Sequence, residues 1–210
     1  MLPGPIYLYK CPHCGELVKS KSYMSTNNFG ARYYSDGRMI AEMSPDIPRI
    51  VPCNSCDACF WLEQKHKSGE ISTKEAANEK SSEIEFVRFP TIYEYESILE
   101  NKNYNFKDQE IYLRQKMWWS FNDRIREGLP LFSSEMDCVI WDKNAKRLIK
   151  LFKEKDITQK IMIAELYRNM GDFKKCMKKL DEIKNHDYDG LKEAFRRECD
   201  KGNTEVFKMN

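Results

Sequence analysis

PCNSCDACFW, residues 52–61, carries three cysteines, and CPHCG, residues 11–15, carries two more. The later stretch can form a Cys-x-x-Cys pair either as Cys53 with Cys56 or as Cys56 with Cys59. Two such pairs place four thiolates within reach of one cation, which is the ligand set of a tetrahedral Zn²⁺ site. Four sulfur ligands leave no open coordination position, so the pattern predicts a structural metal.

The predicted ligands are Cys11, Cys14, Cys53 and Cys56. Cys53 is favoured for the second pair because Cys59 then falls in the strand-like run CFWL, where an apolar residue is typical. The pairing of Cys56 with Cys59 stays open as the alternative.

A turn signal lies between the two cysteine pairs. Asp36-Gly37 stands between two strand-like runs, and this pattern predicts a hairpin over residues 32–42. Residues 9–61 resemble the zinc-ribbon class, in which a small antiparallel sheet joins two CPxCG-type turns. The residues that carry the resemblance are Cys11, Pro12, Cys14, Gly15, Cys53 and Cys56. It implies a small β unit with structural zinc, although Asn54 and Asp57 stand where Pro and Gly are common.

Two other functions share this cysteine pattern. Rubredoxins also use two CPxCG turns, there to hold a redox-active iron, and aromatic residues such as Tyr9, Phe60 and Trp61 suit that use. Iron is therefore the alternative metal, and a rubredoxin-like electron carrier is one alternative function. A nucleic-acid-binding zinc-ribbon protein is the other, although a net charge of only +2 gives nucleic acid little general attraction.

The composition is typical of a globular protein. Of 210 residues, 41% are hydrophobic and 32% charged, which argues against disorder throughout the chain. No uncharged stretch approaches the roughly 18 residues of a membrane helix, so we expect no membrane partner and a cytoplasmic location. Cytosolic thiols stay reduced, which favours metal binding by the paired cysteines. Cys138, Cys176 and Cys199 are expected on buried helix faces.

Three segments of the chain differ in character. Residues 1–62 combine strand-like runs with turns, residues 63–90 are polar and predict a linker or a surface helix, and residues 91–210 show helical periodicity. The predicted fold class is therefore α+β, with a small N-terminal β unit followed by an all-α domain.

Residues 158–187 resemble a tetratricopeptide repeat, a helical hairpin of about 34 residues. The matching positions are Ile163, Ala164, Tyr167, Gly171, Asp172, Phe173, Cys176, Leu180 and Ile183. Lys160 departs from the pattern, since a Trp is common there, and no Pro ends the unit near Tyr188. The resemblance implies a protein-binding scaffold, while plain helical packing is the alternative.

DQEIYLRQKMWWSFNDRIRE, residues 108–127, is the most strongly patterned helix and offers a second candidate surface. Tyr112, Trp119, Asn122 and Arg126 lie on or beside the face opposite its apolar arc. Aromatic residues next to Asn and Arg are typical of recognition surfaces, so these four are candidate partner-binding residues. The alternative is that another element covers them.

No catalytic pattern is present: the sequence lacks GxSxG, a Walker loop, HExxH and GxGxxG, and we expect no enzyme activity. As a whole, the chain resembles uncharacterised bacterial proteins of unknown function that join Cys-x-x-Cys turns to a helical tail. The expected function is a non-catalytic intracellular module that is stabilised by a metal and binds a protein, as an adaptor does.

Overall fold

The computed structural model describes residues 1–72 and 83–209. In chain order the strands are β1 (Leu2–Pro3), β2 (Ile6–Lys10), β3 (Leu17–Ser20), β4 (Tyr23–Ser25), β5 (Arg32–Tyr34), β6 (Met39–Ile40), β7 (Ile50–Pro52), β8 (Cys59–Trp61), β9 (Lys67–Ile71) and β10 (Lys208–Met209). The α-helices are α1 (Ile92–Glu100), α2 (Lys107–Arg126), α3 (Glu135–Leu151), α4 (Ile157–Asn169), α5 (Phe173–Asp181) and α6 (Asp189–Asp200). The predicted α+β class, with an N-terminal β region and a helical C-terminal region, is confirmed.

Contacts within the chain group it into two compact units. The first comprises Met1–Ala31 and Ile40–Ile98, and the second comprises Arg32–Met39 and Leu99–Asn210. Residues 32–39 thus interrupt the first unit in sequence and fold as part of the second. We call them the inserted segment.

The first unit is built from short antiparallel pairs. β2 lies between β3 and β9, with Tyr7 opposite Ser20 on one side and opposite Glu70 on the other. β7 and β8 form a separate hairpin in which Val51 lies opposite Phe60. A core cluster of this unit consists of Cys11, Val18, Val51, Cys53 and Phe60. Cysteines of both Cys-x-x-Cys turns therefore belong to one core.

The polar segment 63–90 contributes to the sheet of the first unit. Gln64–His66 form a short 3-10 helix, and residues 67–71, expected in a linker or a surface helix, form strand β9 against β2. A strand forms here because Ile71 and Gly69 alternate with polar residues, and β2 offers a free edge for the ladder. The rest of the expected linker or helix includes residues 73–82, which lie outside the described residues.

The second unit is helical, and the sequence supplies capping residues at the starts of three of its helices. Ser134, Asp156 and Asp172 cap α3, α4 and α5, each accepting a hydrogen bond from a backbone N–H of the first turn. Gly171, with a φ of +75°, separates α4 from α5 and gives the predicted helical pair. Around this pair, a core cluster consists of Ala164, Cys176, Leu180, Ile183 and Phe195.

The inserted segment forms the predicted hairpin. β5 and β6 are neighbours in one sheet, and the N–H of Gly37 donates to the carbonyl of Tyr34. Gly37 has a φ of +75°, and a Cβ there would lie 2.9 Å from Cε of Met162. The third strand of this sheet is β10, with Lys208 opposite Tyr34. The hairpin therefore belongs to the sheet of the helical unit and not to a ribbon sheet beside the cysteines.

Cys138 is exposed, contrary to the expectation from sequence, whereas Cys176 is buried and Cys199 is partly buried. The buried stripe of α3 passes through Asp137, Ile140 and Trp141 and leaves Cys138 at its edge.

Candidate metal centre

Each cysteine pair occupies the turn of a β-hairpin. Cys11 and Cys14 lie between β2 and β3, and Cys53 and Cys56 lie between β7 and β8. The two turns share one backbone pattern. The N–H of Cys11 donates to the carbonyl of Glu16 at 2.8 Å, and the N–H of Cys53 donates to that of Ala58 at 3.0 Å. Two local hairpins thus present their thiols in the same way.

The fifth position of each turn has a left-handed backbone. Gly15 has a φ of +81°, and Asp57, at the equivalent position of the second turn, has a φ of +58°. In both turns this residue donates its N–H to the carbonyl of the first cysteine, at 2.9 Å. Asp is among the few non-glycine residues that tolerate this conformation. The departure from Gly at position 57 therefore leaves the turn geometry unchanged.

The four thiols converge. The Sγ atoms of Cys11 and Cys56 are 3.8 Å apart, those of Cys14 and Cys53 are 3.6 Å apart, and all four lie within 4.8 Å of one another. A tetrahedral ion with Zn–S distances of about 2.3 Å would set S–S distances of about 3.8 Å. The spacing of the thiols therefore fits a divalent ion bound by four cysteines.

Cys59 lies outside this group. It is in β8, opposite Pro52, and its side chain is partly buried away from the cluster. Burial raises the pKa of the Cys59 thiol to about 11. The structure thus brings together the four cysteines that the sequence analysis favoured, and it places Cys59 in the strand that leaves the turn.

The closeness of the thiols shifts their pKa values in opposite directions. A backbone N–H of Glu16 lowers the pKa of Cys14 to about 7. The N–H of Ala58 lowers the pKa of Cys56, but desolvation and the neighbouring thiols outweigh it and raise that pKa to about 12. Negative charge on one sulfur therefore opposes ionisation of the next. A bound divalent cation would remove this penalty and release protons.

A basic depression of about 430 Å³ borders the first turn. Its lining includes Cys11 together with Lys10, Lys65, His66 and Lys67. Four thiolates around a divalent ion carry a net charge of −2, so lysines beside the cluster would offset part of that charge.

The partner-binding residues expected from sequence mostly contact the inserted segment. Trp119 donates its Nε1–H to the carbonyl of Asp36 at 3.0 Å, and Asn122 donates to the Asp36 carboxylate at 2.8 Å. Arg126 forms an ion pair with Asp36 and lies 4.5 Å from the centroid of the Tyr34 ring. These residues recognise a segment of their own chain.

Burial also argues against an external role for two of these residues. Asn122 is 2% exposed, and the side chain of Arg126 is 6% exposed. Tyr112 is half-buried, with Nζ of Lys116 5.5 Å from its ring centroid. Asn122 and Arg126 are therefore too buried to act as exposed partner contacts, because the inserted segment covers them.

The sequence analysis missed a buried polar group in the second unit. Glu165 and Arg168 form an ion pair at 2.6 Å with both side chains fully buried. Arg168 also donates to the carbonyls of Asn203 and Glu205, and Ser35 donates to Glu165 at 2.7 Å. The spacing of Glu165 and Arg168 on one helix permits such a pair, but the sequence carries no signal for its burial.

Comparison of the chain with protein-family models, with curated proteins and with solved structures gives no match. Among the helices of the described residues, none combines the length and the apolar character needed to span a bilayer. Fold and site thus define an α+β protein with a four-cysteine cluster at metal-binding distances. Any finer assignment rests on the geometry of the chain itself.

Proposed function

We propose that this protein is a non-catalytic, metal-stabilised protein-binding module, and that its four-cysteine cluster holds a structural Zn²⁺. The observation that carries the proposal is the convergence of four thiols from two hairpins within 4.8 Å. Four thiolates complete a tetrahedral shell and leave no position for a substrate or a catalytic water. The metal would tie the hairpins together and add folding energy to a unit with a small core.

The helical pair supports the protein-binding part of the proposal. Ala164 of α4 and Cys176 of α5 are fully buried, and such small side chains let two helices approach closely. This packing agrees with the resemblance to a tetratricopeptide repeat, a class of helical hairpin that implies protein binding. Neighbouring α6 contributes Phe195 to the same core cluster and so covers one side of the pair.

A cytoplasmic location is part of the proposal. Within the described residues none of the eight cysteines forms a disulfide, which agrees with a compartment that keeps thiols reduced.

Nucleic-acid binding is the second candidate function, and the basic depression beside Cys11 favours it. Two of its lysines are already paired, Lys65 with Glu63 at 2.6 Å and Lys67 with Glu70 at 3.1 Å. Those ion pairs weaken the attraction for phosphate, which is why this function ranks second. Binding to an oligonucleotide that falls steeply with rising salt would support it.

Metal content of two cysteine variants tests the proposal. The purified wild-type protein is expected to contain zinc, measured by elemental analysis. Cys53→Ala removes a ligand of the cluster and should release the metal. Cys59→Ala is the matched control, because this neighbouring cysteine lies outside the cluster, and it should keep the metal.

Three results would contradict the proposal. Iron with visible absorbance in place of zinc would indicate the rubredoxin-like electron carrier. Loss of metal in Cys59→Ala and retention in Cys53→Ala would move the second ligand pair to Cys56 and Cys59. Absence of any metal from freshly purified protein would refute a metal-stabilised module altogether.

A further inference from the structure

A surface groove of the second unit combines an apolar floor with a basic rim. Its volume is about 790 Å³, and its lining includes Phe173 and Met177, with Lys174, Lys178 and Lys184 around them. We call it the α5 groove, since most of these residues lie on that helix. It lies well apart in sequence from the cysteine cluster.

The floor is half-buried and held by the core beneath it. Phe173 and Met177 are one helical turn apart, so they lie on the same face of α5. Both are partly exposed, and Met177 also packs against the core cluster that contains Cys176 and Leu180. Met adapts its shape to different apolar partners, which suits a binding floor.

Each carboxylate of the groove already has a cationic partner within the chain. Glu182 pairs with Lys160 at 3.2 Å and with Lys179 at 3.6 Å, and Asp181 lies 3.7 Å from Arg196. Glu182 therefore offsets the charge of Lys160, which also lines the groove, but neither acid forms an ion pair with Lys174 or Lys178.

Lys174 and Lys178 supply positive charge at the rim that no ion pair among the described residues offsets. Both are exposed and, within the part of the chain that the structure describes, neither has a carboxylate within ion-pair distance. They are one helical turn apart, which matches the spacing of carboxylates at positions i and i+4 of a partner helix. The rim is thus complementary to an acidic helix.

We propose that the α5 groove binds an acidic, amphipathic segment of a partner protein. Apolar side chains of the partner would contact Phe173 and Met177, and its carboxylates would pair with Lys174 and Lys178. This inference rests on the proposed protein-binding function and names the chemistry of the partner. A helix laid into an apolar groove is a common mode of peptide recognition. The apolar floor favours the apolar side chains of a peptide over the phosphate backbone of a nucleic acid.

Peptide binding to the full-length, zinc-loaded protein tests the inference. The probes are two fluorescent amphipathic peptides with identical leucine positions, one with glutamates and the other with lysines at all polar positions, together with a single-stranded oligonucleotide. Fluorescence anisotropy should show binding of the glutamate peptide only. Lys174→Glu combined with Lys178→Glu should weaken that binding about tenfold or more, since it turns two attractive charge pairs into repulsive ones.

The control variant changes the same charge elsewhere in the second unit. Lys107→Glu combined with Lys150→Glu alters two exposed lysines that do not line the groove and should leave peptide binding unchanged. Met177→Gln, which conserves volume, should weaken binding through the loss of apolar contact, and circular dichroism should show intact helices in every variant.

Several outcomes would overturn the inference. Equal binding of the two peptides, or no binding of the glutamate peptide, would exclude an acidic partner. Equal weakening by the groove and control variants would mean a general charge effect. If the oligonucleotide binds more tightly than the glutamate peptide, and the Lys174→Glu and Lys178→Glu double variant loses that binding, the groove is assigned to nucleic acid. Zinc content is measured on the same samples, so failure of the groove is distinguishable from failure of the metal-stabilised module.

Discussion

Removal of Arg126 should destabilise the second unit strongly. Asp36 is fully buried, and its carboxylate accepts hydrogen bonds from Asn122 and from the N–H of Arg38 besides its ion pair with Arg126. In Arg126→Met the carboxylate keeps the two neutral donors but loses its only cation among the described residues. Breaking a buried ion pair in this way costs about 3–5 kcal/mol. The two remaining hydrogen bonds place the expected loss near the lower limit, about 3 kcal/mol.

The double variant separates the buried charge from lost packing. Asp36→Asn together with Arg126→Met leaves neither charge unpaired in the interior. It should therefore lose less stability than the two single variants added together. Replacement of a buried pair by neutral groups is often nearly neutral in energy, so most of the cost of Arg126→Met should come from the isolated carboxylate.

Unfolding followed by tryptophan fluorescence measures this loss. Trp118, Trp119 and Trp141 belong to the second unit, whereas Trp61 belongs to the first, so the signal mainly reports the unit that contains Arg126. A loss of about 3 kcal/mol should lower its Tm by on the order of 10 °C. A Tm within 2 °C of wild type, or a double variant that loses at least the sum of the single losses, would show that Asp36 does not depend on Arg126.

Two further predictions concern other ion pairs. Arg168→Met should cost the second unit about 3–5 kcal/mol in urea unfolding, because it leaves Glu165 fully buried without its cation; a loss below about 1 kcal/mol would contradict the pairing. In the first unit, hydrogen bonds from Arg88 lower the pKa of Glu94 to about 2, from an ordinary value of 4.5. Because the folded pKa is the lower one, this pair stabilises the fold fully above pH 4.5 and loses its effect as the pH falls towards 2. Arg88→Gln should raise the pKa of Glu94 in an NMR titration, and an unchanged pKa would refute this cause.

The cysteine cluster could be anticipated from the sequence because its chemistry is local. Each turn is a short stretch in which Cys-x-x-Cys spacing fixes two sulfurs, and the strand-like run that contains Cys59 favours Cys53 while leaving the pair Cys56–Cys59 open. The sequence does not state that Asp57 reproduces the left-handed conformation of Gly15. That equivalence depends on the backbone of the second turn, which forms only when β7 and β8 pair.

The place of the inserted segment could not be anticipated. The turn signal at Asp36-Gly37 predicts a hairpin but says nothing about which sheet the hairpin joins. That choice depends on contacts between distant residues, such as Asp36 with Arg126 and β5 with β10. The same long-range contacts explain why Asn122 and Arg126 resembled an open recognition surface. Their partner, Asp36, lies far away in the sequence, and the periodicity of a helix does not report such a contact.

The order of the chain connects the cysteine cluster to the contacts that Asp36 makes with Asn122 and Arg126. Residues 15–52 run from one Cys-x-x-Cys turn to the other, and they carry the inserted segment in their middle. Closing this loop by a bound metal would restrict the conformations of its residues before the segment pairs with β10. The inserted segment would then lose less conformational entropy when Asp36 pairs with Arg126. A metal bound in the first unit would in this way lower the free-energy cost of folding the second.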